Sequence, residues 1–72
     1  MRLQRHALRV IRQRSGLSVS ALAAQVGISQ PHLSNIESGR RQASPQLAHR
    51  LARALKVPLV ALLADPDEPG TA

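Results

Sequence analysis

The stretch Ser18–Arg41, SVSALAAQVGISQPHLSNIESGRR, decides the fold. Leu22, Ala23 and Val26 fall at helical spacing and share one face. Gly27 follows them and can take the positive φ that ends a helix. Ser29 then offers a hydroxyl as the cap of a second helix. Pro31 falls in the first turn of that helix, where no backbone N–H is required. Leu33 and Ile36 share its buried face. The spacing therefore predicts two short helices joined by a tight turn. Ala23 is small where the second helix must pass close by. Gly39 closes the second helix, and Arg40-Arg41 continue as a basic loop.

The outer face of helix 29–38 carries the functional reading. At about 100° per residue, Leu33, Ile36 and Glu37 point inward, and Pro31, Asn35 and Ser38 point outward. His32 and Ser34 lie on the flanks, and Gln30 stands at the helix start. A solvated helix face usually carries Glu and Lys. This one carries amides and hydroxyls beside two arginines. Gln and Asn can pair with base edges in the major groove at two points at once. Asn35 is the first candidate for base readout, and Gln30 the second.

Working outward, residues 3–14 read as a first helix, with Leu8 and Ile11 inward and Leu3 beside them. Arg2, Arg5, Arg9 and Arg14 fall on its wet side, and Ser15-Gly16 ends it. Arg12 shares the inward side. Ser18 is the cap of the helix that contains Leu22. Ser44-Pro45 is a strong start for a fourth helix, which runs to about Leu55 with Leu47, Leu51 and Leu55 on one stripe and Ala48 and Ala52 alongside. Pro58 opens a fifth helix through about Ala64. Leu59, Val60, Ala61, Leu62, Leu63 and Ala64 make it apolar all round. Leu59 and Leu62 are expected to close the core. Val60, Leu63 and Ala64 then form an exposed apolar face, which predicts a homodimer contact, the alternative being scattered apolar surface on a monomer. The expected architecture is an all-α domain of five helices over residues 1–64. An acidic, loose tail follows over 65–72.

Composition narrows the partners. Seventy-two residues make one small domain with a modest core. There is no aromatic residue, so the core is Leu, Ile, Val and Ala. Cysteine is absent, which excludes disulfides and thiolate metal sites and is compatible with a reducing compartment. No run is long enough to span a membrane and no signal peptide is present, so a cytoplasmic, nucleoid-associated protein is expected. All ten Lys and Arg fall between Arg2 and Lys56, against one acid, Glu37; Asp65, Asp67 and Glu68 lower the net charge to +6. A small body this basic points to a polyanion. A basic amphipathic helix on a membrane is the alternative for the first helix, but its apolar face is thin and lacks aromatics. His6, His32 and His49 show no metal-ligand spacing. One acid in the body leaves no catalytic pair, and no phosphate-loop or serine-nucleophile motif occurs. Neither an enzyme nor a cofactor is expected.

GLS, LAAQVGIS, LSNIESGRR and SPQLAHRLARALKV, in this order and spacing from about Leu8 to Leu63, closely resemble the Cro/CI-type (XRE) helix-turn-helix family. The resemblance implies a compact lambda-repressor-like DNA-binding domain. It implies that Gln30, Pro31 and Asn35 reach bases, with Ser34 and Ser38 near the backbone or groove wall. Pro31 has only apolar contact to give, for instance to a thymine methyl. Ser18, Ser20, Ser29, His32, Ser38, Arg40 and Arg41 are the implied phosphate contacts, His32 being equally compatible with plain solvation. The family pairs an arginine and a glutamate at the places of Arg12 and Glu37 as a largely buried ion pair. Many members dimerise through the fifth helix. This chain departs from the family at Val19, where a phosphate-binding glutamine is common. Val19 cannot make that contact, so Ser18, Ser20 and the free N–H groups of the helix start are left to hold the phosphate.

The expectation is a transcriptional regulator, most simply a repressor, that binds an inverted-repeat operator in double-stranded DNA as a homodimer. With no separate sensor domain expected, control would come from concentration, a partner or proteolysis. A phage switch, a toxin–antitoxin autoregulator and a restriction–modification controller all fit. The competing reading is a protein-interaction module in which the fifth helix and tail bind a toxin or another regulator. Non-specific nucleoid or RNA binding is a third, weakened by the lack of aromatics for stacking.

Overall fold

The computed structural model describes residues 3–63. Four α-helices follow one another: α1 (Arg5–Arg14), α2 (Val19–Val26), α3 (Gln30–Ser38) and α4 (Pro45–Leu55), then a 3-10 turn at Leu59–Leu62. Three of the starts rest on serine. Ser18, Ser29 and Ser44 each accept from the backbone N–H three residues on, that of Ala21, His32 and Leu47. Each oxygen satisfies a donor that the helix cannot pair internally. Pro31 and Pro45 stand in first turns, where their missing N–H is harmless.

The ends of α2, α3 and α4 share one device. The residue after the helix is left-handed, and two successive N–H groups fold back onto carbonyls of the last turn. At α2, Gly27 (φ 77°) donates to Ala24 O and Ile28 to Ala23 O. At α3, Gly39 (φ 85°) donates to Ile36 O and Arg40 to Asn35 O. At α4, Lys56 takes the same position with φ 58°, the one positive φ outside glycine among the described residues.

The core takes one fully buried leucine from every element: Leu8, Leu22, Leu33, Leu51 and Leu62. Burying each contributes about 1.5–3 kcal/mol. α2 packs on α3 and α4, α1 on α3 and on the 3-10 turn, and α4 on that turn. Ala23, Ala48 and Ala52 are buried between the helices, so small residues replace the absent aromatics in filling the space. Among the described residues no helix is long and apolar enough to cross a membrane.

Two expectations are corrected. The first helix begins at Arg5, not at residue 3. Gln4 caps it by accepting from His6 N–H, and Leu3 pairs antiparallel with Leu63. The fifth helix is a single 3-10 turn of four residues. Its last carbonyl finds another donor: Leu62 O accepts from Gln4 N–H at 2.8 Å, and Leu63 is extended. Leu62 is buried as expected and Val60 is exposed, but Leu63 is half-buried, packed against the core by the bridge to Leu3. Ala64 and the 65–72 tail lie outside the described residues.

Candidate nucleic-acid interface

α3 is fixed from below. Leu33 and Ile36 are buried, and Glu37 is tied to α1. Arg12 Nε donates to Glu37 Oε2 at 2.6 Å and Nη2 donates to Oε1 at 3.1 Å. Arg12 Nη1 donates to Leu17 O at 2.8 Å. The side chains are 10% and 8% exposed, so this is a fork-on-fork pair largely out of water. It links three segments: α1, the turn before α2, and α3.

The outer face matches the sequence reading in most places. Gln30, Pro31, His32, Ser34 and Ser38 are exposed, and Asn35 is half-buried. Its carbonyl is the knot of the helix end. It accepts from the N–H of Arg40 at 3.0 Å, from that of Arg41 at 3.2 Å, and from Ser38 Oγ at 3.1 Å. These bonds hold the backbone of the two arginines against the last turn of α3. Their side chains are exposed.

The serines divide by their bonds. Ser18 and Ser29 use an oxygen lone pair as a cap, which leaves each hydroxyl proton free to donate outward. Ser20 instead donates to Gln30 Oε1 at 2.9 Å, joining the start of α2 to the start of α3. Its proton is committed to Gln30 in this structure, not to a site beyond the surface. Val19 packs half-buried against the core, so it lends the α2 start an apolar anchor rather than a donor.

One group escaped the sequence reading. Arg5, expected on the wet side of α1, reaches α3: its Nη1 donates to Ser38 O at 2.9 Å. The guanidinium lies over Gly39, where a Cβ would collide with it. A contact spanning 33 residues leaves no local pattern to read.

Two helices at a tight turn, the second fixed by its buried face and open on a polar uncharged face, with a basic loop at its end: this is a helix-turn-helix DNA-binding domain of the Cro/CI type. The chain belongs to the helix-turn-helix domain family, whose family model matches residues 5–65. That is a family of DNA-binding transcription regulators, not of enzymes. The chain is 38% identical over 58 residues to an uncharacterized HTH-type transcriptional regulator, y4dJ, of Sinorhizobium fredii, covering 81% of this chain and 75% of that protein. It is also similar to the N-terminal DNA-binding domain of SinR from Bacillus subtilis. One structure of that domain superposes with a TM-score of 0.79 at 28% identity, covering 89% of this chain and 94% of the other. A solution structure of the same domain, described as that of a master biofilm regulator, gives 0.72 at 27% identity, covering 90% and 96%.

Proposed function

We propose that this chain is a sequence-specific repressor that binds an inverted-repeat operator as a homodimer, one α3 in each of two successive major grooves. The observation that carries the reading is the outer face of α3. It joins exposed Gln30, Pro31 and Ser34 to half-buried Asn35, with no charge among them, on a helix whose other side is fixed by Leu33, Ile36 and Glu37. Asn35 and Gln30 read base edges, Pro31 gives apolar contact, and Ser34 lies at the groove wall. Each good two-point contact contributes about 1–3 kcal/mol of discrimination. Ser18, Ser29, His32, Ser38, Arg40 and Arg41 position the domain on phosphates, which carry affinity but not sequence. Ser20 acts through Gln30. Two domains on one face of the duplex leave a promoter beneath them inaccessible, the simplest route to repression.

Dimerisation is assigned to the surface beside the 3-10 turn. Val60 is 70% exposed and Val10 on α1 is 42% exposed. They line one groove of about 370 Å³ with Gln4, His6, Ala7, Ala61 and Leu63. The same groove favours a second reading, a protein-interaction module whose partner is a toxin or another regulator. The two readings separate on site selection from random duplex DNA at near-physiological salt, followed by footprinting. The repressor reading expects an inverted repeat with half-site centres about 34 Å apart. A lone half-site would remove the dimer. No enrichment of any sequence would sink the DNA assignment and leave the groove as the functional surface.

A further inference from the structure

We infer that Arg5, Arg40 and Arg41 form one phosphate-binding site at the C-terminal end of α3, with Arg5 as the group that both braces the helix end and completes the site. The inference rests on the DNA-binding reading above and extends the interface to α1.

Arg40 and Arg41 leave α3 with their backbone N–H groups folded onto Asn35 O, so the loop starts from a fixed point. Gly39, just before them, has no side chain, and the space is filled from another element by the Arg5 guanidinium. Arg5 uses one N–H on Ser38 O, a carbonyl the helix cannot satisfy internally. A cation at this end also complements the negative pole of the helix dipole. A guanidinium has five N–H donors in a planar fork, so four remain after this bond. Arg5 is exposed, as are Arg40 and Arg41.

Among the described residues these cations have little to neutralise them. Glu37 is the one carboxylate among the described residues, and both its oxygens are taken by Arg12. Three arginines meet the chain at this one helix end, with no carboxylate of the described residues among them, and like charges brought this close favour an anion between them. A phosphodiester supplies one negative charge and two free oxygens, a match to guanidinium forks. The site adjoins the end of the proposed recognition helix. A DNA phosphate bound there would fix how far α3 slides along the groove. Arg5 is thus a positioning residue as well as a phosphate ligand.

The test compares the parent with Arg5→Gln and Arg5→Lys, on the selected operator and on an unrelated duplex, across a range of salt. Arg5 is exposed, so both variants should fold, and circular dichroism melts check that they do. Arg5→Gln is expected to lower the log–log salt slope by about 0.9 per half-site, equivalent to roughly eight-fold weaker binding at about 0.1 M salt against a 1 M reference. The loss should be equal on both duplexes, and Arg5→Lys should restore the slope. A purely structural role would move the melt and not the slope. An unchanged slope in Arg5→Gln, a loss confined to the operator, or failure of the lysine variant to restore the slope would each overturn the assignment. If the parent itself binds no duplex, the DNA-binding reading fails first. If the parent binds with a steep slope that Arg5→Gln leaves intact, only this site fails.

Discussion

Replacing Glu37 by Gln is the most informative change to the fold. The substitution keeps the shape and removes the charge. One oxygen can still accept from Arg12, but the other becomes an NH2 that faces a guanidinium donor. Arg12 is then a cation with about a tenth of its side chain in water and no counter-charge. Removing one member of such a pair costs about 3–5 kcal/mol, and the retained hydrogen bond places Glu37→Gln near the lower end. A chain of 72 residues has roughly 4–11 kcal/mol in all, at roughly 0.05–0.15 kcal/mol per residue. The loss is thus a third to most of the stability, and Tm falls by ~12–24 °C for a loss of ~3 kcal/mol in a domain of this size. The assay is urea unfolding followed by far-ultraviolet circular dichroism, since no aromatic side chain is present to fluoresce. The control is the double variant Arg12→Met with Glu37→Leu. It removes both charges and only one further bond, that to Leu17 O, and should recover most of the loss. A cost below about 1 kcal/mol for Glu37→Gln would mean that the pair is effectively in water. A double variant as unstable as the single would mean that packing, not an orphaned charge, sets the effect.

Four further outcomes are expected. Asn35→Ala should fold, keep the parent's salt dependence and lose about 1–3 kcal/mol of preference for the operator over unrelated duplex, as read by competition binding; equal preference in both proteins would refute the readout assignment. At dilutions where the parent is monomeric, Val60→Glu should leave the melt within about 0.5 kcal/mol, because the site is exposed, and at higher concentration it should keep sedimenting as the monomer; an unchanged sedimentation coefficient would move the dimer contact elsewhere. Lys56→Gly should raise unfolding stability by about 1 kcal/mol, since φ 58° strains a side chain and not glycine. Ser29→Ala should cost about 1 kcal/mol through the lost cap on His32 N–H, seen as an earlier urea midpoint at unchanged slope.

What the sequence disclosed and what it hid divide along one physical line. Caps are local: Ser18, Ser29 and Ser44 with Gly27 and Gly39 mark their helices by chemistry within four residues, so α2 and α3 begin and end, and α4 begins, where those residues predict. Buried faces follow period, so Leu22, Leu33, Leu51 and Leu62 were all legible. The run after Pro58 was not. It is apolar enough for a helix, but the carbonyl of Leu62 is claimed by Gln4, nearly sixty residues away, which leaves no acceptor there for a further helical turn. The same partnership delays α1, since Leu3 is drawn into the bridge with Leu63. On the candidate site, the polar face of α3 could be read from period alone. The Arg12–Glu37 pairing came through family resemblance, because spacing within one helix cannot name a partner on another. Arg5 was missed because its partner is a backbone carbonyl, which has no residue type to recognise.

The bridge between Leu3 and Leu63 has a mechanical meaning. It joins the two ends of the described span, so the path through the domain is nearly a closed ring fastened by one short clasp. Tension applied at the two ends loads that clasp before any helix, and its failure uncovers Leu62 and frees the start of α1 together. Residues 3 and 63 therefore leave the described span side by side. A permuted protein with its ends tied at the clasp and cut within residues 40–43 would retain all four helices, while releasing the Arg40–Arg41 loop from one side.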